Sequence, residues 1–257
     1  GYVVGVLAHS DAFVRAVRLN RDRVPDGAGQ EYPWALPAVK ALEQTLELDT
    51  GVTFLVGANG SGKSTVLEAM AIAAGLNAEG GSSNFSFSTR ESHSPLADAL
   101  TLIRGTRRPK TDFFLRAESV FTAATYLEDL PREAGDPLAP YGGRSLHEQS
   151  HGESFLSIAL HRLGPRGLYF LDEPEAALSF DGQLALLLRM SELARAGAQW
   201  VVATHSPVLV AYPAARIVLC DEEGLSDITY DDVPAVRDLR RFLAAPQRQV
   251  SVLLADQ

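Results

Sequence analysis

Cysteine is nearly absent: Cys220 is the single one in 257 residues, so no internal disulfide can form and an ordinary core must hold the fold. In the run RIVLC that thiol reads as a small buried residue at a strand end rather than a nucleophile. No apolar stretch approaches the roughly 20 residues that cross a bilayer, and the N-terminal stretch lacks the basic-then-apolar order of a signal peptide. The expected address is therefore the cytoplasm. A basic excess is missing too. The formal net charge of −9 argues against a protein that coats nucleic acid over its whole surface, while leaving room for a local basic site. His9, His93, His147 and His161 show no metal-ligand spacing. There is no heptad run, internal repeat or long low-complexity tract.

What the chain does have is a core. Hydrophobic residues make up 46% and charged residues 21%, values of a soluble globular protein of a length that suits one α/β domain. The run FVRAVRLNRDRV from Phe13 reads as an edge strand, and the PDGAGQ after it as the turn of an opening hairpin. Pro37 to Gln44 suits a short helix with proline in its first turn, and TLELDTGVTFLVG supplies two strands around a turn at Gly51. KSTVLEAMAIAAGL is a good helix former ending at Gly75. Asn77 to Pro95 is rich in glycine and serine, with a short strand expected in NFSFSTR. From Ser150 onward helices and strands alternate through SFLSIALHRL, GLYFLDEP, GQLALLLRMSELARAG, QWVVATH and ARIVLC, which implies a largely parallel sheet. We expect one domain over 1–257. Its core would lie at about 1–77 and 150–257, with an antiparallel N-terminal β part and a mostly helical insertion at about 78–149.

Between the second of these strands and its helix stands GANGSGKST, which meets the phosphate-loop pattern at Gly57, Gly62, Lys63 and Ser64. Glycines let the backbone amides of Ala58, Asn59, Gly60 and Ser61 turn toward phosphates, Lys63 can reach the outer phosphates, and the hydroxyl of Ser64, followed by Thr65, can ligate magnesium. A nucleoside triphosphate with Mg2+ is the ligand this pattern predicts. A second anchor is LYFLDEPE, where four apolar residues deliver Asp172 and Glu173 to the end of a buried strand. Two acids there need a reason. Asp172 is placed to hold the magnesium shell, and Glu173 to orient or deprotonate an attacking water. The third anchor, VVATHSP, ends a strand in His205, 33 positions after Asp172. That interval holds one helix and one strand, so the two strands can lie side by side.

Together these residues resemble the ABC-type ATPases, and among them the soluble branch related to RecF and the structural-maintenance-of-chromosomes heads. The resemblance covers most of the chain and implies ATP as the nucleotide and hydrolysis as the reaction. It also implies a head-to-tail homodimer, in which SHGES, at Ser150, His151, Gly152 and Glu153, stands for the signature and acts on ATP held by the other copy. Here His151 and Glu153 replace a glycine and a glutamine of the usual LSGGQ. Ser150 with Glu153 is equally a helix capping box. By the same resemblance EAALS, Glu175 to Ser179, occupies the D-loop, with Ser179 where aspartate is common. Glu118 in FFLRAES stands nearest the place of the family's Q-loop glutamine and would join the magnesium or water network. His205 would sense the γ phosphate. Tyr32 or Trp34 would stack on adenine unless they serve packing.

The basic run RGTRRPK, with Arg104, Arg107, Arg108 and Lys110, is the best local site for DNA, against the commoner reading of a solvated loop. Repair, chromosome maintenance or defence would follow from DNA contact, with another protein as a further possible partner. Two rival readings stay open: the ATPase subunit of a membrane transporter, and a nucleotide-dependent scaffold with little turnover.

Overall fold

The computed structural model of the chain describes residues 12–48, 51–77, 81, 95–117 and 151–255. Its centre is a set of strands with no polar face. β3 (Val52–Val56), β6 (Gly167–Asp172) and β7 (Gln199–Ala203) are buried at every position, as strands covered by helices on both sides must be. They join β5 (Thr111–Arg116), β8 (Arg216–Asp221) and β9 (Gly224–Asp227) in one sheet of order β5-β6-β7-β3-β8-β9. All pairings are parallel except β8 with β9.

Alternate residues of each strand feed two separate layers. Leu55, Phe170, Val201 and Cys220 enter one, packed against α1 (Pro37–Ala41), α2 (Lys63–Ala74) and α3 (Pro95–Ala99). Phe54, Tyr169, Leu171 and Trp200 enter the other, against α4 (His151–His161), α5 (Phe180–Arg195) and Val236 of α6 (Pro234–Ala244). The last element is α7 (Pro246–Ala255).

A second, antiparallel sheet has the order β2-β1-β4, formed by β1 (Val14–Leu19), β2 (Leu46–Glu47) and β4 (Leu100–Arg104). This is the antiparallel N-terminal part expected, assembled differently. β1 is the central strand rather than an edge, and PDGAGQ closes no hairpin, because β1 finds its partners about 30 and 85 residues downstream. The strands flanking Gly51 likewise belong to different sheets. Gln199, 1% exposed, ties the two sheets: its Oε1 accepts from the amides of Phe13 and Val14 at 3.0 Å each, and its Nε2 donates to the Val14 carbonyl at 2.7 Å.

Residues 78–149, expected as mostly helical, contain among the described residues one short helix and two strands, each in a different sheet. The run NFSFSTR lies outside the described residues. α2 ends at Gly75 (φ 103°) as its sequence predicts.

Candidate functional site

The phosphate-loop sequence connects β3 to α2. Its first glycine has no substitute: a Cβ on Gly57, at φ 149°, would sit 2.1 Å from the Cys220 carbonyl oxygen of β8. The loop is thereby pressed onto the C-terminal end of β8. Lys63 opens α2, 3% exposed, and its Nζ donates to the Ala58 carbonyl at 3.0 Å. Burial pulls this ammonium below the usual lysine range, opposed first by Glu173 and then by other acidic groups, Asp172 and Glu175 among them. A buried cation held by a single carbonyl is poised for an anion. Ser61 Oγ is also buried and has no hydrogen-bond partner.

The register of β6 against β7 pairs Asp172 with Ala203, so the acids and His205 emerge side by side, as the spacing predicted. Asp172 is 6% exposed. Burial raises its carboxyl above the ordinary range, while the Ser64 hydroxyl bonded to it and the Arg116 charge pull it back. Its Oδ2 lies 3.4 Å from Arg116 Nε, and its Oδ1 is buried with no hydrogen-bond partner. Glu173 takes the left-handed conformation (φ 47°, ψ 51°), which turns the chain out of the sheet and leaves the carboxylate 40% exposed, 3.2 Å from His205 Nε2. That contact is within ion-pair reach without the alignment of a hydrogen bond.

Two residues complete the frame: Arg116, which the sequence left unassigned, and Glu175, which it placed in the D-loop segment without a role of its own. Glu175 accepts the His205 amide at 2.5 Å, fixing the histidine's backbone from the D-loop segment. Arg116, at the end of β5, donates to Glu68 of α2 at 2.9 Å while facing Asp172. The register pair Arg116 and Asp172 is what brings it there, and a sequence has no register to offer. Ser206 accepts from Val208 and Leu209 at 3.1 Å each and donates to Gln183 at 2.5 Å, locking the turn after His205.

Other expected residues are placed as follows. Tyr32 is 72% exposed and lines a recess of about 350 Å³ with Gly60, Lys63, Thr65 and Glu173, its hydroxyl 3.2 Å from Thr65 Oγ1. Trp34, by contrast, is a core residue, 5% exposed. Ser179 accepts the Gly182 amide at 3.2 Å as the N-cap of α5, so the serine in the aspartate's place serves its own helix. Gly152 has a reason to be glycine within this chain: a Cβ there would lie 2.7 Å from the Ala177 carbonyl oxygen. Glu153 is exposed in the first turn of α4. Glu118, Ser150 and the side chain of His151 lie outside the described residues, as do His9, His93 and His147. Within the basic run, Arg104 donates to the Ala73 and Ala74 carbonyls at 3.3 and 3.4 Å, so this cation caps α2. Cys220 is buried as expected, its thiol pushed up to about 12 by burial.

Magnesium fits this donor set. No cluster of three His, Cys, Asp or Glu side chains able to hold a metal occurs among the described residues, but a cation here needs only a hydroxyl and one carboxylate, with phosphates and water completing the shell. Ser64 and the unpartnered oxygen of Asp172 supply these.

Two family descriptions match the chain: "AAA domain" over residues 40–116, and "AAA domain, putative AbiEii toxin, Type IV TA system" over residues 144–211. Among curated proteins, an uncharacterized ABC transporter ATP-binding protein of Haemophilus influenzae is 25% identical over 201 residues, covering 72% of this chain and 75% of the relative. Among solved structures, an SMC head domain from Thermotoga maritima matches at TM-score 0.40 and 13% identity, over 72% of this chain and 92% of that one. The protein cbiO1 of Clostridium perfringens, part of the cbiONQ ABC transporter complex, matches at TM-score 0.42 and 15% identity, over 82% and 90%. Likeness at these scores adds nothing to the site, which is read from its own residues.

Proposed function

We propose that this chain, which matches AAA-domain families on both sides of its central segment, is an ABC-type P-loop ATPase that hydrolyses ATP to ADP and phosphate at the loop Gly57–Thr65, in a head-to-tail pair of copies. The observation that carries this reading is the convergence at one sheet end. A buried lysine, a buried carboxylate with an unpartnered oxygen beside Ser64, and a Glu173–His205 couple 3.2 Å apart surround the mouth of the phosphate loop.

Within this reading the loop amides and Lys63 bind the triphosphate, Lys63 exchanging the Ala58 carbonyl for phosphate oxygen. Ser64 and Asp172 would hold magnesium, which supplies charge neutralisation on the phosphates. Glu173, half-exposed and turned out of the sheet, orients the water and takes its proton. His205 holds the Glu173 carboxylate in place, and Glu175 holds His205. Tyr32 offers its ring to the adenine across the recess it lines. The other half of the site would come from Ser150 to Glu153 of a second copy.

Phosphate release measured with saturating ATP tests this directly. Glu173→Gln should lower the rate on the order of 100-fold or more while ATP still binds, and Lys63→Ala should lose ATP binding. An unchanged rate in Glu173→Gln sinks the assignment of that residue. Glu173→Gln with ATP should also run as a dimer in light scattering.

A second reading, the ATP-binding subunit of a membrane transporter, has the description of the Haemophilus influenzae relative in its favour. Recovery of the protein with a membrane fraction, lost on washing out a permease partner, would support it. Stimulation of phosphate release by DNA would instead favour the repair, chromosome or defence roles.

A further inference from the structure

Thirteen large apolar side chains are exposed among the described residues, and seven of them fall between residues 239 and 254. Leu239, Phe242 and Leu243 stand on α6, at the spacing that puts three side chains on one helix face, and Val250, Leu253 and Leu254 repeat that spacing on α7. Val252 adds a fourth apolar residue to α7, whose ten residues include none that is buried. A helix this short gains too little from its own backbone to form alone. One apolar on several sides is built to be surrounded. Between α6 and α7 runs a groove of about 610 Å³ lined by Arg241, Ala245, Arg248, Gln249, Val252 and Leu253, a receptor shape for side chains from outside.

We propose that the α6–α7 hairpin is a dimerisation surface that joins two copies of this chain without nucleotide, four helices packing about a two-fold axis. A second copy is favoured by area. At roughly 150–200 Å² for a fully exposed side chain of this size, exposures between 40% and 67% leave on the order of 600 Å² of apolar surface per copy. A symmetric pair then hides about 1,200 Å², the lower edge of specific interfaces. The hairpin itself, Pro234–Ala255, carries four arginines and one aspartate, with Arg240 bonded to Asp231 at 2.6 Å, so the pairing of two such faces should tighten as salt screens their repulsion. An anionic lipid surface suits the same charge, and a single-copy mass in the test below is the result it predicts. The competing apolar line, Phe180, Leu184 and Leu188 on α5, has three side chains against seven and stands on a helix already docked through Leu186, Met190 and Leu193.

If the ATPase reading holds, this contact would keep two heads at high effective concentration, so that closing on ATP becomes an intramolecular event. The nucleotide-free contact itself does not depend on that reading.

Light scattering of the full chain at micromolar concentration, in EDTA and without nucleotide, tests the proposal. The unmodified protein should have the mass of two copies. Leu243→Glu with Leu253→Glu and Leu254→Glu should have the mass of one, with unchanged circular dichroism and melting temperature extrapolated to low concentration. Gln in place of Glu at the same positions should also give single copies. A single-copy mass for the unmodified protein, as expected if another protein covers the hairpin, overturns the proposal, and so does a two-copy mass for the folded variants. Failure of ATP to pair Glu173→Gln when it also carries the three hairpin Glu substitutions would count against the ATPase reading alone, because that protein lacks the hairpin contact and the hairpin is assayed separately with no nucleotide present.

Discussion

Glu173 holds a conformation that only glycine and, less readily, asparagine adopt at small cost, and it does so at the one position where a carboxylate must leave the sheet. The strain is on the order of 1 kcal/mol, offset by the sheet bond from its amide to the Ala203 carbonyl at 2.9 Å. Glu173→Asn and Glu173→Gly should therefore melt no lower than the unmodified protein, while phosphate release is lost. A clear fall in melting temperature in both would mean that the carboxylate stabilises the fold, not the reaction. Arg116 carries the opposite relation, since it joins Asp172 to Glu68 and has no polar partner to replace it. Arg116→Gln should cost about 1–3 kcal/mol in denaturant unfolding and weaken ATP binding in magnesium, with binding in EDTA little changed. Arg116→Lys should restore part of both. Equal losses with and without magnesium would show that Arg116 acts on the nucleotide rather than through Asp172. The sequence made Asp172, Glu173 and His205 legible because each ends an apolar run. Arg116 and the bond of Glu175 to the His205 amide escaped it, since what identifies them is the strand register and the turn geometry that bring distant positions within 3.5 Å.

Elements read well where local periodicity and tertiary demand agree. β3, β6 and β7 are continuous apolar runs, and a covered parallel sheet wants them so; α2 carries good helix formers between a phosphate loop and a C-terminal glycine. β1 and β4 read poorly, for their partner strands lie far apart in the chain and alternation alone cannot say which strand is central. β8 shows how such separate pieces are tied. Arg216 at its start donates to both oxygens of Asp227 on β9, at 2.7 and 2.8 Å, and to the Glu47 carbonyl of β2 at 2.5 Å. The guanidinium bonded to Asp227 holds its carboxyl below the usual range. A depressed carboxyl stabilises the fold above its unfolded value of about 4 and loses that contribution as pH falls through the folded value. Arg216→Gln should thus lower stability at pH 7 by no more than about 1 kcal/mol, because the Asp227 carboxylate is largely solvent-exposed. The gap between the two proteins should narrow in acid; a gap that stays constant down to pH 3 would assign the effect to the Glu47 contact instead.

For the molecule as a whole, the same chain shows two unequal kinds of legibility. The phosphate-loop end is legible in its own residues, because a glycine loop that opens a helix tolerates few residue types at few spacings. The hairpin end is not, because an apolar helix face looks the same in sequence whether it meets the core of its own chain or another chain. At the loop end lies Cys220. It is the chain's single thiol, it is buried, and its carbonyl is the surface on which Gly57 rests. No other sulfhydryl competes for an alkylating reagent, and this one stays shut while the loop is seated. Its rate of labelling is therefore a clock for the opening of the sheet at the end of β8, and ligands that hold the loop down should slow it.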